Sequence, residues 1–145
     1  MKRTNGAAVR TVFFLVFIVG LVGTGLDLLL LTHYESLLQF IPLILIAAGI
    51  LVAAWNFAFD STVSLLALRT AMTAFIAAGA LGVALHYRGN VQFQKEIDPS
   101  INGMALFSKV IHAKAPPAMA PAAMIWLGLF GIACTYLPDK KRGEL

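Results

Sequence analysis

"VRTVFFLVFIVGLVGTGLDLLLL", residues 9–31, is the stretch on which the fold turns. Apart from Arg10 near its start and Asp27 near its end it is uncharged and apolar, and it is as long as the roughly 20 residues that carry a helix across a hydrocarbon core. Similar runs follow at residues 37–59, 63–85 and 118–137. Hydrophobic residues make up 59% of the chain and charged residues 12%, with a mean hydropathy of +0.83. Soluble domains carry about a quarter charged residues. The expected fold is therefore an all-α integral membrane protein, a single domain over residues 1–145, with four transmembrane helices.

The amino end, "MKRTNGAAVRTVFFLVFIVG", also has the basic flank and apolar core of a signal peptide. No Ala-x-Ala-like cleavage site follows before hydrophobicity resumes, so a retained signal-anchor is expected. Lys2, Arg3 and Arg10 precede the first run, while "THYESLLQ" after it carries no Lys or Arg. This asymmetry places the N-terminus in the cytoplasm. Four crossings return the C-terminus, with Lys140, Lys141 and Arg142, to the same side, as expected for a bacterial inner membrane, but Arg88, Lys95, Lys109 and Lys114 lie in the opposite loop, so the orientation rests mainly on the first helix. The pI near 9.5 suits anionic headgroups. It does not point to nucleic acid, because no basic stripe interleaves with aromatics.

The connections are unequal. "THYES" (32–36) and the turn around Asp60, Ser61 and Thr62 are short, which favours an up-down-up-down bundle. Residues 86–117 form a long extracytoplasmic loop. Its first part, "GNVQFQKEIDPS" (89–100), alternates Val91 and Phe93 with polar neighbours ahead of Pro99, the pattern of an extended segment. Its second part places Ile101, Met104, Phe107, Val110 and Ile111 at helical spacing, which predicts a short amphipathic helix on the membrane surface. Pro116, Pro117 and Pro121 then open the fourth helix.

Positions i, i+4 and i+7 share a helix face. Gly20, Thr24, Asp27 and Tyr34 fall together in the first helix, and Pro42, Gly49, Ala53, Asn56 and Asp60 in the second. In the third, Ala71, Ala74, Ala78, Gly82 and His86 line up, and the fourth has Gly128, Gly131 and Thr135. Lipid offers no hydrophobic drive to helix association, so close backbone approach and interhelical hydrogen bonds must supply it. These stripes are the expected bundle interior. Asp27 is read there as a hydrogen-bonded carboxyl whose pKa burial should raise. Arg69 is read as snorkelling toward Asp60 or Asn56.

The dipeptide His-Tyr ends both the first and the third run, at His33-Tyr34 and His86-Tyr87. A shared haem or metal needs both imidazoles aimed at one point. On ideal helices His33 and His86 do not share equivalent faces, so the pair is read as part of an aromatic belt, with Trp55 and Tyr136 at the other interface. Glu35, Glu96, Asp98 and His112 match no compact ligand motif, and no metal site is expected from them. Cys134 is the only cysteine, which excludes an intrachain disulfide and any CxxC chemistry.

No Ser/His/Asp set, phosphate-binding glycine loop or HExxH motif is present. The expected function is non-enzymatic: a structural or accessory subunit whose partners are the bilayer and other membrane subunits, or copies of itself, with no cofactor. Two alternatives are carried, a small transporter or channel centred on Asp27, and a redox subunit in which His86, with or without His33, ligates haem or a metal.

Overall fold

The computed structural model describes residues 3–114 and 119–137. Five helices follow in order: α1 (Arg3–Leu30), α2 (Leu37–Phe59), α3 (Thr62–Ile97), α4 (Gly103–Ile111) and α5 (Met119–Cys134). Three of them, α1, α2 and α3, are long and apolar enough to cross a bilayer. At 16 residues α5 is about 24 Å long, shorter than the expected run of 118–137 and than the roughly 30 Å hydrocarbon core. Lys2, Pro116, Pro117, Lys140, Lys141 and Arg142, which entered the orientation and loop readings, lie outside the described residues.

The four long elements pack in a ring, with α1 on α2, α2 on α3, α3 on α5 and α5 back on α1. The core between them runs through Phe17, Leu21, Ile46, Ala53, Leu68, Met72, Phe75 and Met124. Bulk takes the interior of α1. Phe17, Leu21 and Leu28 are buried there, and Asp27, off that stripe, is exposed. The interior placement expected for Asp27 is thus corrected. Outside the ring, large apolar side chains such as Val19, Leu51, Leu66 and Trp126 lie open, a surface suited to lipid and costly in water.

Small residues admit close approach chiefly between α3 and α5. A Cβ on Gly128 would lie 2.6 Å from Ile76 Cγ1 and 2.7 Å from the Met72 carbonyl oxygen, and one on Gly79 would lie 2.7 Å from the Pro121 carbonyl oxygen. Gly131 sits against Met72 and Phe17, and Gly82 against the Pro121 ring. Ala71, Ala74 and Ala78 are only partly buried, so the tight seam of α3 runs one residue away, through Met72, Phe75 and Gly79.

The extended segment expected at residues 89–100 is instead helical as far as Ile97. Once α3 has formed, each added residue needs no new nucleus, and Gln92, Gln94, Lys95 and Glu96 are good helix formers. Pro99 stops the helix by disfavouring helical backbone at Asp98, which adopts φ −138°. With 36 residues, α3 is about 54 Å long and projects beyond the apolar run as an arm. The expected short helix is α4. It packs on that arm, with its Val110 and the preceding Ile101 buried and Met104 and Phe107 exposed.

At the Asp60 end, polar groups tie helix ends together. Arg10 Nη1 donates to Asp60 Oδ2 at 2.8 Å, its Nη2 to the Asn56 carbonyl at 3.5 Å, and its guanidinium lies over the Phe57 ring. Asn56 Nδ2 donates to Ser64 Oγ at 3.1 Å inside the bundle. Arg69 is not the partner of Asp60 or Asn56. Its Nε donates to Thr135 Oγ1 at 3.1 Å and its guanidinium covers the Tyr136 ring, 4.8 Å from the centroid. The expected clasp is therefore made by Arg10, because Arg69 lies on the α5 side of α3.

Candidate functional site

At the opposite end of the bundle α1 stops in a left-handed turn. The Thr32 N–H donates to the Leu29 carbonyl at 3.1 Å and the His33 N–H to the Leu28 carbonyl at 2.9 Å, the paired bonds of a Schellman closure. Glycine usually holds the left-handed position, whereas here Thr32 adopts φ 52°, a conformation that costs a residue with a Cβ roughly 1–2 kcal/mol. The closure holds His33 just past the helix end, directed by the turn and no longer by helical periodicity.

The first turn of α2 supplies the next group. Gln39 Oε1 accepts from the Glu35 N–H at 2.7 Å and from the Ser36 N–H at 3.0 Å, the returning half of a capping box. With its oxygen so engaged, the Gln39 amide presents its NH2 as the remaining polar end. From α3 come His86 and, one turn further, Asn90, whose Nδ2 reaches the Val110 carbonyl at 3.5 Å and links the rim to α4.

These elements bring His33 and His86 together, with ring centroids 6.3 Å apart and planes 14° from parallel. Ideal helical faces separate them, and the end of α1 at Leu30 is the reason they meet. Beside the rings opens a cavity of about 340 Å³. His33, Gln39, His86 and Asn90 line it near the helix ends together with Leu28 and Pro121, while Ala78, Gly79, Gly82 and Met124 line it further along α3 and α5. Partial burial and then the neighbouring His86 lower the pKa of His33 below its ordinary value.

Of the other residues singled out in the sequence, Gly82 lies on the cavity wall, Asp27 and Tyr34 are exposed and do not line it, and Asn56, Asp60 and Arg69 belong to the far end. Gly128 and Gly131 serve the seam of α3 and α5. Among the described residues no three His, Cys, Asp or Glu side chains come together to hold a metal ion, and two imidazoles fall short of the three or four protein ligands usual for zinc. Gln39 was missed, although Ser36 followed by Gln39 has the spacing of a capping box.

No protein-family model, curated protein or solved structure matches the chain.

Proposed function

We propose that the chain is a non-enzymatic integral membrane protein that binds a lipid-class amphipathic molecule, its apolar tail between α2, α3 and α5 and its polar head at His33, Gln39, His86 and Asn90. The observation that carries this reading is the cavity of about 340 Å³, apolar at depth and polar at its rim. Small-molecule sites have this character: roughly 300–1,000 Å³, apolar walls and a few convergent polar groups. Asp27, exposed in the last turn of α1, gives a transport reading no buried carboxylate to work with.

The topology that goes with this function has four crossings, α5 being the fourth, with both termini in the cytoplasm of a bacterial cell and residues 86–117 outside. The lipid headgroup region then lies level with the histidine pair. Such a protein would serve as an accessory subunit of a larger membrane assembly or as a homo-oligomer, using the exposed Phe93, Ile97, Met104 and Phe107 of the α3 arm and α4 as its contact surface.

The test is lipid retention. Protein purified in a mild neutral detergent should carry about one amphipathic molecule per chain by native mass spectrometry, and Ala78→Phe, which fills the deep end of the cavity, should lose at least about nine-tenths of it, as expected for a preformed site. Equal retention by a folded Ala78→Phe protein would remove the binding reading. A Soret band in the freshly purified protein would replace it with haem between the two imidazoles.

A further inference from the structure

We infer that the head of the bound amphiphile is anionic, and that its capture by His33 and His86 is coupled to proton uptake, so that the site loads in acid and releases toward alkaline pH. This rests on the cavity reading above and deepens it.

Among the described residues, the ionisable groups lining the cavity are both imidazoles, and no carboxylate lines it. Gln39 adds hydrogen-bond donors to the same rim because its oxygen is already taken by two backbone N–H groups. His33, His86 and Gln39 therefore offer donors and latent positive charge, while Asn90 donates its amide N–H to the Val110 carbonyl. A neutral head would need neither imidazole to be charged, whereas an anion at the nitrogen edges of both rings replaces their mutual repulsion with charge-assisted hydrogen bonds.

The surroundings leave the pair free to respond. The turn that carries His33 also carries Tyr34 and Glu35, both exposed, and α1 contributes the exposed Asp27. Arg88 and Tyr87 adjoin His86 on α3, Lys109 lies on α4 and His112 just after it. The cavity-lining residues of α2 and α5 include no charged or titratable group. The influences on His33 are burial and His86, with no carboxylate holding it charged. A bound anion raises the affinity of both rings for protons. That contribution to binding is fully present below the free imidazole pKa and is lost as pH rises through the raised value in the complex.

The experiment uses the full chain in nanodiscs of phosphatidylcholine with three probes that share parts. Lysophosphatidylglycerol has one tail and a phosphodiester that stays anionic across the range, monoacylglycerol has the tail without the charge, and glycerol phosphate has the charge without the tail. Lysophosphatidylglycerol should bind at least about tenfold more tightly at pH 5.5 than at pH 8.0, since charged imidazoles favour the anion and neutral ones do not. Monoacylglycerol should bind with little pH dependence, and glycerol phosphate should not bind at matched concentration. The double variant His33→Gln, His86→Gln should flatten the pH dependence of the anionic probe while retaining monoacylglycerol, which also shows that the variant is folded.

Anionic and neutral tailed probes bound alike at both pH values would overturn the inference and leave the cavity reading intact. Failure of both tailed probes would overturn both. Tight binding of glycerol phosphate would make the ligand a free phosphate and overturn the lipid class.

Discussion

Replacing Gly128 with leucine is expected to force α5 away from α3 and to lower stability by about 3 kcal/mol or more, the upper range for overpacking. The first added carbon alone would sit 2.7 Å from the Met72 carbonyl oxygen and 2.6 Å from Ile76 Cγ1. A side-chain terminus can rotate aside, but the carbonyl belongs to the backbone of α3, so the helices themselves must separate. In a bilayer that separation is not resisted by any hydrophobic drive, and the dispersion contacts of the seam are lost outright. Alanine at Gly128 should already cost about 1–3 kcal/mol. Gly23 is the control, since nothing lies within 4 Å of a Cβ there. Alanine at that position should be neutral or stabilise by up to about 1 kcal/mol through helix propensity. Reversible unfolding in mixed micelles measures both. Equal, small changes at the two glycines would mean that the seam is not where α5 docks.

The second large effect is expected at Asp60, where the end of α2 meets the start of α1. Asp60→Ala should cost about 2 kcal/mol, combining the loss of a charge-assisted bond with the strain of a Cβ residue other than Asp or Asn in left-handed backbone. Asp60 has φ 44° and receives Arg10 at 2.8 Å. With both side chains about one-fifth exposed, solvent screens the pair in part, so the larger losses known for fully buried ion pairs do not apply. Asp60→Asn keeps the tolerance for left-handed backbone and an oxygen acceptor, and should cost less than about 1 kcal/mol. The same unfolding measurement separates the two variants, and identical costs would show that neither the backbone conformation nor the acceptor matters.

The long apolar runs were legible in sequence because length and composition alone specify helices of that kind. Residues 37–59 and the boundaries of α2 (Leu37–Phe59) coincide, since Ser36 and Asp60 mark both ends chemically. The continuation of α3 to Ile97 was not legible. The alternation of Val91 and Phe93 resembles a strand locally, and it is overridden by the low cost of extending an existing helix up to the block at Pro99. Glycine stripes indicated which residues could allow close packing but not which helix would meet which, so Gly79 was passed over and Ala71, Ala74 and Ala78 were given too central a place. For Asp27, periodicity counted small neighbours on its face, while Phe17, Leu21 and Leu28 took the core by bulk.

The candidate site was hidden for a related reason. Face arithmetic assumes that a helix continues, and His33 lies beyond the point where α1 ends. The left-handed turn at Thr32 carries no glycine to announce it, so the rotation that brings His33 to His86 could not be read from spacing. What was legible was the pair of His-Tyr dipeptides as boundary marks. Their meeting at one cavity is a property of the bundle, which sets α2 between α1 and α3.

The most direct test of the central claim is a photolabelling map. A single-tailed amphiphile bearing a diazirine near the end of its chain, activated with the protein in nanodiscs, should label the peptides around Ala78, Gly82 and Met124, and an excess of the unlabelled amphiphile should suppress that label. Labelling confined to the outward positions Val19, Leu51 and Leu66, insensitive to competitor, would mean that the tail stays in the bilayer and that the cavity beside His33 and His86 holds no such molecule.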